Sequence, residues 1–136
     1  MRRPIPFALV SLLYWLGTSF SLAQLPGTAP QFNVIAFYTA KNDQAHISFV
    51  HEANQWFPTM GATYGFHYDS TADWNNLNAD FLARYQVVLF LDTRPEEPTQ
   101  RAAFETYMKK GGGWMGFHFA AFALTPSTYP QNWDWY

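Results

Sequence analysis

One histidine stands at the apex of a glycine-flanked, aromatic segment near the end of the sequence. His118 lies in the run from Gly116 to Ala120 (GFHFA), directly after an apolar stretch. In hydrolases whose catalytic strand runs into a sharp turn, the residue at that apex is the nucleophile. An imidazole is a poor nucleophile for acyl transfer, so the segment excludes glutamine hydrolysis by a cysteine route but suits general acid or base chemistry. The alternative is that His118 packs between its aromatic neighbours and bonds to a backbone carbonyl.

Other polar residues that follow apolar stretches are candidates to act with His118. His46 is expected near a helix start, where outward-pointing N–H groups favour oxygen-rich ligands, although an ordinary surface position is equally compatible. Asp92 could orient His118 or bind a hydroxyl; the alternative is a capped strand end with the acid facing water. We predict His118, His46 and Asp92 as catalytic residues, with Tyr38 and Thr93 as substrate-binding residues beside them.

Imidazole and carboxylate groups are also the usual ligands of first-row metals, so His46, Asp92 and His118 could bind a divalent ion if they converged. No spacing typical of a metal site supports that reading, so we predict no metal and name no cofactor. The remaining histidines, His51 and His67, are expected to be structural or solvated.

Aromatic residues cluster at the end of the chain, after a polar turn from Thr125 to Asn132. Flat aromatic faces stack on the C–H side of sugar rings, and such a contact contributes on the order of 1 kcal/mol beyond area burial. Trp133, Trp135 and Tyr136 are therefore candidate substrate-binding residues. The alternative is that they pack against a missing second half of the domain.

Four short apolar segments predict the strands that position these residues: Phe32–Tyr38, Phe66–Ser70, Gln86–Leu91 and Trp114–Phe117. Continuous apolar runs of this length are typical of strands covered on both faces in a parallel sheet. The run from Gln86 to Leu91 is the most apolar, so we place it at the centre of the sheet. Ligands of such sheets bind at the carboxyl ends of the strands, where the candidate residues lie.

Helical spacing of apolar residues separates these strands. The pattern predicts a helix over residues 45–57, which Pro58 either ends or kinks, depending on whether the helix resumes to Thr63; Gly65 stops it. Pro98 begins a second helix, whose last turn is cationic and precedes Gly111. A short helical turn is expected over residues 80–83. Strands alternating with helices indicate a doubly wound α/β fold with a mostly parallel sheet.

The amino terminus resembles a cleaved secretory signal. Arg2 and Arg3 precede an apolar run from Phe7 to Phe20, and small residues favour cleavage after Ala23, so we expect a secreted or periplasmic protein without a stable membrane anchor. The absence of cysteine excludes a disulfide scaffold and a thiolate metal site. Because the signal holds two of the eight basic residues, six would remain against ten acidic ones, which argues against nucleic acid as a partner.

Four features together resemble the ThuA-like (trehalose utilisation) family. They are an opening strand followed by a loop into a helix that begins at His46, the strand block Tyr85–Thr93, the helical stretch Ala103–Tyr107 and the glycine-to-histidine block Gly111–His118. The resemblance runs from about Phe32 to the end, after a signal (1–23) and a linker (24–31). It implies a fold similar to class I glutamine amidotransferases and to flavodoxin. Family domains continue well beyond a Trp-Tyr pair similar to Trp135-Tyr136, so the chain is expected to be truncated at its C-terminus.

The resemblance implies a link to the utilisation of trehalose and its keto derivatives. The family often has an amide residue where Asp92 stands. We expect a small carbohydrate ligand and, if the protein is an enzyme, sugar hydrolysis or isomerisation with histidine acid/base chemistry. The alternatives are a non-catalytic carbohydrate-binding module and an inactive fragment whose last strand leaves an apolar edge exposed.

Overall fold

The computed structural model describes residues 29–41, 43–121 and 133–136. The predicted signal peptide (1–23), the first part of the predicted linker (24–28) and the polar turn Thr125–Asn132 lie outside these residues. Within the described ranges, no helix has the length and apolar character needed to cross a membrane.

A four-stranded sheet forms the centre of the domain, and every strand pairing is parallel. The strands are β1 (Phe32–Phe37), β2 (Phe66–Thr71), β3 (Val87–Phe90) and β4 (Gly113–Gly116). Their order is β2-β1-β3-β4, so β1 and β3 lie inside while β2 and β4 form the edges. The prediction that the Gln86–Leu91 segment lies inside the sheet is confirmed.

The strands are connected by helices: α1 (Gln44–Tyr64), α2 (Ala79–Leu82) and α3 (Pro98–Lys109), with short 3₁₀ turns at Trp74–Asn76 and His118–Ala121. Pro98 occupies the first turn of α3, where its missing N–H leaves no partner unsatisfied. Gly111 follows this helix with φ 90° and donates to the Met108 carbonyl, as the sequence predicts for a helix end.

Helix α1 passes through Pro58 without ending, so the earlier of the two predicted end points was wrong. The helix continues for more than a turn beyond Pro58. Buried residues lie on both sides of the proline, Val50 and Ala53 before it and Gly61 after it, and they pack both halves against the sheet. Tertiary packing therefore outweighs the roughly 3 kcal/mol that a proline costs within a helix. Gly65 ends the helix in a left-handed conformation at φ 78°, as predicted.

Alternate residues of the inner strands point to opposite faces of the sheet and build two apolar clusters. Ile35, Phe37, Val88 and Phe90 pack with Phe104 of α3. The opposite cluster contains Val34, Ala36, Leu89 and Leu91 together with Val50 and Ala53 of α1. Helices cover both faces of a parallel sheet in the order 2-1-3-4, which is the flavodoxin-like arrangement, and the predicted doubly wound α/β fold is confirmed.

Candidate functional site

The chain turns sharply after β4, and His118 occupies the turn in a left-handed conformation with φ 45°. A non-glycine residue rarely adopts such a φ, and residues held this way cluster at functional sites. Phe117 donates to the carbonyl of Phe90 at 3.0 Å, which keeps the chain paired with β3 up to the residue before His118. The predicted abrupt turn is therefore present and places His118 at the carboxyl end of β4.

A second residue with a positive φ lies at the same edge of the sheet. Ala40, in the loop after β1, has φ 51°, and the described part of the chain has no other non-glycine residue with positive φ besides His118. Parallel strands bring both loops to the carboxyl edge, where α/β sheets bind ligands. The two strained positions thus mark one edge of the molecule.

His46 and His118 are in direct contact although 72 positions separate them in the chain. The Nε2 atom of His46 lies 3.0 Å from the Nδ1 atom of His118, a hydrogen-bond distance. The edge of Phe119 packs on the His46 ring with centroids 4.7 Å apart, and the His46 side chain is only 13 % exposed. The structure therefore brings together two of the three predicted catalytic residues.

Asp43 joins this pair and was missed in the sequence analysis. It is the N-cap of α1, and its Oδ1 atom accepts from the backbone N–H of His46 at 3.0 Å. Its Oδ2 atom lies 3.2 Å from Nδ1 of His46. An acidic N-cap three residues before a histidine was the available signal, because N-cap side chains reach the third residue of the helix.

A cleft of about 390 Å³ opens beside the histidines. The residues that line it are Asp43, Ala45, His46, Phe49, Leu91, Phe117 and His118. Its volume falls within the roughly 300–1,000 Å³ of typical small-molecule sites, and a mostly apolar wall with a few convergent polar groups is their usual composition. The arrangement can exchange a proton with a bound ligand while its aromatic side chains contact apolar parts of that ligand.

Asp92 is buried beneath the loop after β1, with 5 % of its surface exposed. Its carboxylate accepts from the backbone N–H groups of Thr39 and Ala40, at 2.8 and 2.6 Å, and from the Thr39 hydroxyl at 2.9 Å. The alternative of an acid facing water is therefore wrong. Asp92 holds the strained loop at Ala40, and no hydrogen bond joins it to His118 in the described part of the chain. Its catalytic role stays a prediction.

The predicted substrate-binding residues beside the strands lie outside the residues that line the cleft. Tyr38 is half-buried, and its carbonyl accepts from the indole N–H of Trp74 at 3.1 Å. Thr93 is also half-buried. Neither placement measures ligand binding, so both assignments stay predictions.

The aromatic residues at the end of the chain pack on the α3 side of the sheet, opposite the cleft. Trp133 is 6 % exposed, contacts Phe104 and donates from its indole N–H to Glu105 at 2.8 Å. The Tyr136 hydroxyl donates to the carbonyl of Ala120 at 2.6 Å, and burial raises its pKa to about 12. Trp133 therefore packs within the described chain, whereas Trp135 is 41 % exposed, and the assignment of these residues to substrate binding stays a prediction.

The other two histidines lie apart from the cleft. His51 is exposed on α1, and His67 is exposed on β2, with its Nε2 atom 3.1 Å from Asp69. Among the described residues, no group of three or more His, Asp or Glu side chains has an arrangement that could hold a metal ion.

Comparison with known proteins identifies a family that the sequence and the fold match. A family model described as ThuA, trehalose utilisation, matches residues 33–136. The crystal structure of a protein described as ThuA-like, from Bacteroides uniformis, is similar to this chain with 33 % sequence identity and a TM-score of 0.71. The match covers 85 % of this chain and 45 % of that one, so this chain spans less than half the length of that protein. No match was found among curated proteins.

Proposed function

The chain belongs to the ThuA, trehalose utilisation, family, and from that membership we propose that it binds a disaccharide or keto-sugar in the cleft and that His118 transfers protons to and from this ligand. The observation that carries the proposal is the strained turn at His118. It directs an imidazole to the edge of the sheet where α/β domains bind their ligands.

The His46–His118 contact supports acid/base chemistry over a packing role. His46 contacts Nδ1 of His118, and the His118 side chain lines the cleft, so we assign its other ring nitrogen, Nε2, to the ligand. Imidazole exchanges protons near neutral pH, which suits both removal and return of a proton in one turnover.

Isomerisation of a keto-sugar fits a single proton-transfer group best. Nε2 of His118 removes the proton from the carbon next to the ketone, and the electron pair of the broken C–H bond moves to the carbonyl oxygen as an enediolate. The hydroxyl proton of the deprotonated carbon passes to that enediolate oxygen. The imidazolium then returns its proton to the former carbonyl carbon as a new C=O bond forms on the neighbouring carbon, which completes the isomerisation. A glycosidase of the usual kind needs two carboxyl groups facing the bond, whereas Asp43 is the one carboxylate among the described residues that line this cleft.

The experiment that tests this proposal follows solvent deuterium. The purified full chain is incubated in D₂O with trehalose, other disaccharides and their keto derivatives, and proton NMR records exchange at the carbon beside the ketone and formation of product. We expect exchange with the wild type and a loss of about 100-fold or more in His118→Gln, the usual contribution of a general acid or base.

The matched control is His51→Gln, which removes an exposed imidazole of α1 outside the cleft. It should retain the wild-type exchange rate. The proposal is overturned if no sugar of the panel is bound or exchanged, or if His118→Gln is as active as the wild type.

A second candidate is sugar binding without catalysis, which the exposed ring of Trp135 favours. This indole stacks on Trp133 with centroids 5.6 Å apart and planes at 28°, so a fixed aromatic face is presented on the α3 side. Calorimetric titration with the same sugars separates the two candidates. Binding that survives His118→Gln but is lost in Trp135→Ala supports the binding module; the reverse supports the cleft.

A further inference from the structure

Asp43 holds His46 through two separate contacts at the start of α1. Oδ1 accepts the backbone N–H of His46 at 3.0 Å, which is the N-cap bond, and Oδ2 faces Nδ1 of the ring at 3.2 Å. Because one oxygen is fixed by the helix, the other is directed at the imidazole. The N-cap bond therefore orients the Asp43 carboxylate, even though 56 % of the side chain is exposed.

Asp43, His46 and His118 form a hydrogen-bonded series. In this series the position of the proton on one ring determines the position of the proton on the next. An ionised carboxylate only accepts hydrogen bonds, so Nδ1 of His46 must carry the proton that faces Asp43. In a neutral His46 the Nε2 atom is then an acceptor, and the 3.0 Å contact requires that Nδ1 of His118 donate to it. In a neutral His118 this leaves Nε2 without a proton, on a side chain that lines the cleft.

We propose that Asp43 is a positioning residue that sets the tautomers of His46 and His118, so that Nε2 of His118 enters the cleft as an unprotonated base. This inference deepens the proposed function and rests on it for its meaning, but the tautomers can be measured without a substrate. Asp43 acts through His46 and does not itself exchange protons with the ligand.

Long-range proton–nitrogen NMR of ¹⁵N-labelled full chain distinguishes protonated from unprotonated ring nitrogens. At a pH where both rings are neutral, we expect the wild type to show protonated Nδ1 and unprotonated Nε2 in His46 and in His118. In Asp43→Asn the cap bond retains the amide oxygen, so the amide N–H₂ group faces Nδ1 of His46. Both rings should then switch to the Nε2–H tautomer.

Asparagine is as good an N-cap as aspartate, so this variant retains the helix. Asp73→Asn is the matched control, because Asp73 also caps a helical turn, by accepting from Asn75, and is not among the described residues that line the cleft. A second variant, Asp43→Ser, keeps a capping oxygen but removes the group that faces the ring, and should give a mixture of tautomers. Circular dichroism checks that each variant is folded.

The inference is overturned if the wild-type rings carry the proton on Nε2, or if both Asp43 variants keep the wild-type tautomers. If instead the tautomers switch as expected while no sugar is bound or exchanged, Asp43 is confirmed as the positioning residue and the proposed function is wrong. In an active protein, Asp43→Asn should lower kcat about 10-fold or more with little change in KM, as expected for a group that acts in proton transfer.

Discussion

At the scale of single residues, hydrogen bonds stabilise the two loops in which a non-glycine residue has a positive φ. The positive φ at Ala40 is held by Asp92, which accepts from two backbone N–H groups and one hydroxyl of that loop. His118 is held between the strand pairing of Phe117 and the contact with His46. Such strain costs of order 1–3 kcal/mol per residue and persists only where its surroundings enforce it.

Replacing Asp92 by Asn should therefore destabilise the domain. The amide offers one acceptor oxygen for three donors and turns a donor group toward the loop, so the free energy of unfolding should fall by about 1–3 kcal/mol, the cost of unsatisfied buried polar groups. Urea denaturation followed by circular dichroism measures the change. Asp134→Asn, on an exposed residue, is the control and should leave stability within about 0.5 kcal/mol.

The outcome also separates two roles of Asp92. A destabilised protein that keeps proton exchange in D₂O would assign the carboxylate to the loop. Loss of exchange at unchanged stability would support the predicted catalytic role and contradict the purely structural one.

At the scale of elements, α1 is the helix that delivers His46 to the edge of the sheet. Asp43 fixes its start and Gly65 its end, and its buried stripe packs beside β1 and β2. Near its end the helix passes so close to β2 that a Cβ atom on Gly61 would lie 2.5 Å from the carbonyl oxygen of Phe66. Glycine is needed there because only a residue without a side chain permits that approach.

Gly61→Ala should consequently destabilise the protein, although alanine is the better helix former by about 1 kcal/mol. Relief of the clash with a backbone atom requires a shift of α1, and overpacking of this kind costs about 1–3 kcal/mol. Thermal unfolding measures the effect. The control, Ala62→Gly on the neighbouring exposed position, should cost about 1 kcal/mol from propensity alone. A stabilised Gly61→Ala would contradict the close approach.

At the scale of the whole molecule, the last described residues attach to the α3 face and complete one of the two apolar clusters. Trp133 is buried in that cluster together with Phe104 and Ala120. The edge strand β4 is less well covered, and Met115 remains 53 % exposed. The cleft and the terminal aromatic residues thus occupy opposite faces of one sheet.

This packing predicts different effects for two tryptophans only two positions apart. Trp133→Ala should lower the free energy of unfolding by about 3 kcal/mol, because it removes a buried ring and the hydrogen bond to Glu105. Trp135→Ala, on a ring that is 41 % exposed, should cost about 1 kcal/mol or less. Equilibrium urea denaturation of the two variants compares them; equal effects would contradict the described position of residues 133–136.

Local patterns in the sequence determined the elements, because the periods of apolar residues, the helix caps and the glycine stops act over a few positions. They were enough to predict four parallel strands, the buried position of β3 and a turn at His118. At Pro58 the sequence pattern allowed α1 either to end or to continue. Packing on both sides of the proline decided that the helix continues.

Only the tertiary structure decided the composition of the site. The contact between His46 and His118 spans 72 positions, the burial of Asp92 depends on a loop 52 positions away, and Trp133 lies on the face opposite the cleft. No local pattern encodes these distances. They follow from parallel crossovers, which bring the carboxyl ends of separate strands to one edge, and from the packing that sets how far each helix advances toward it.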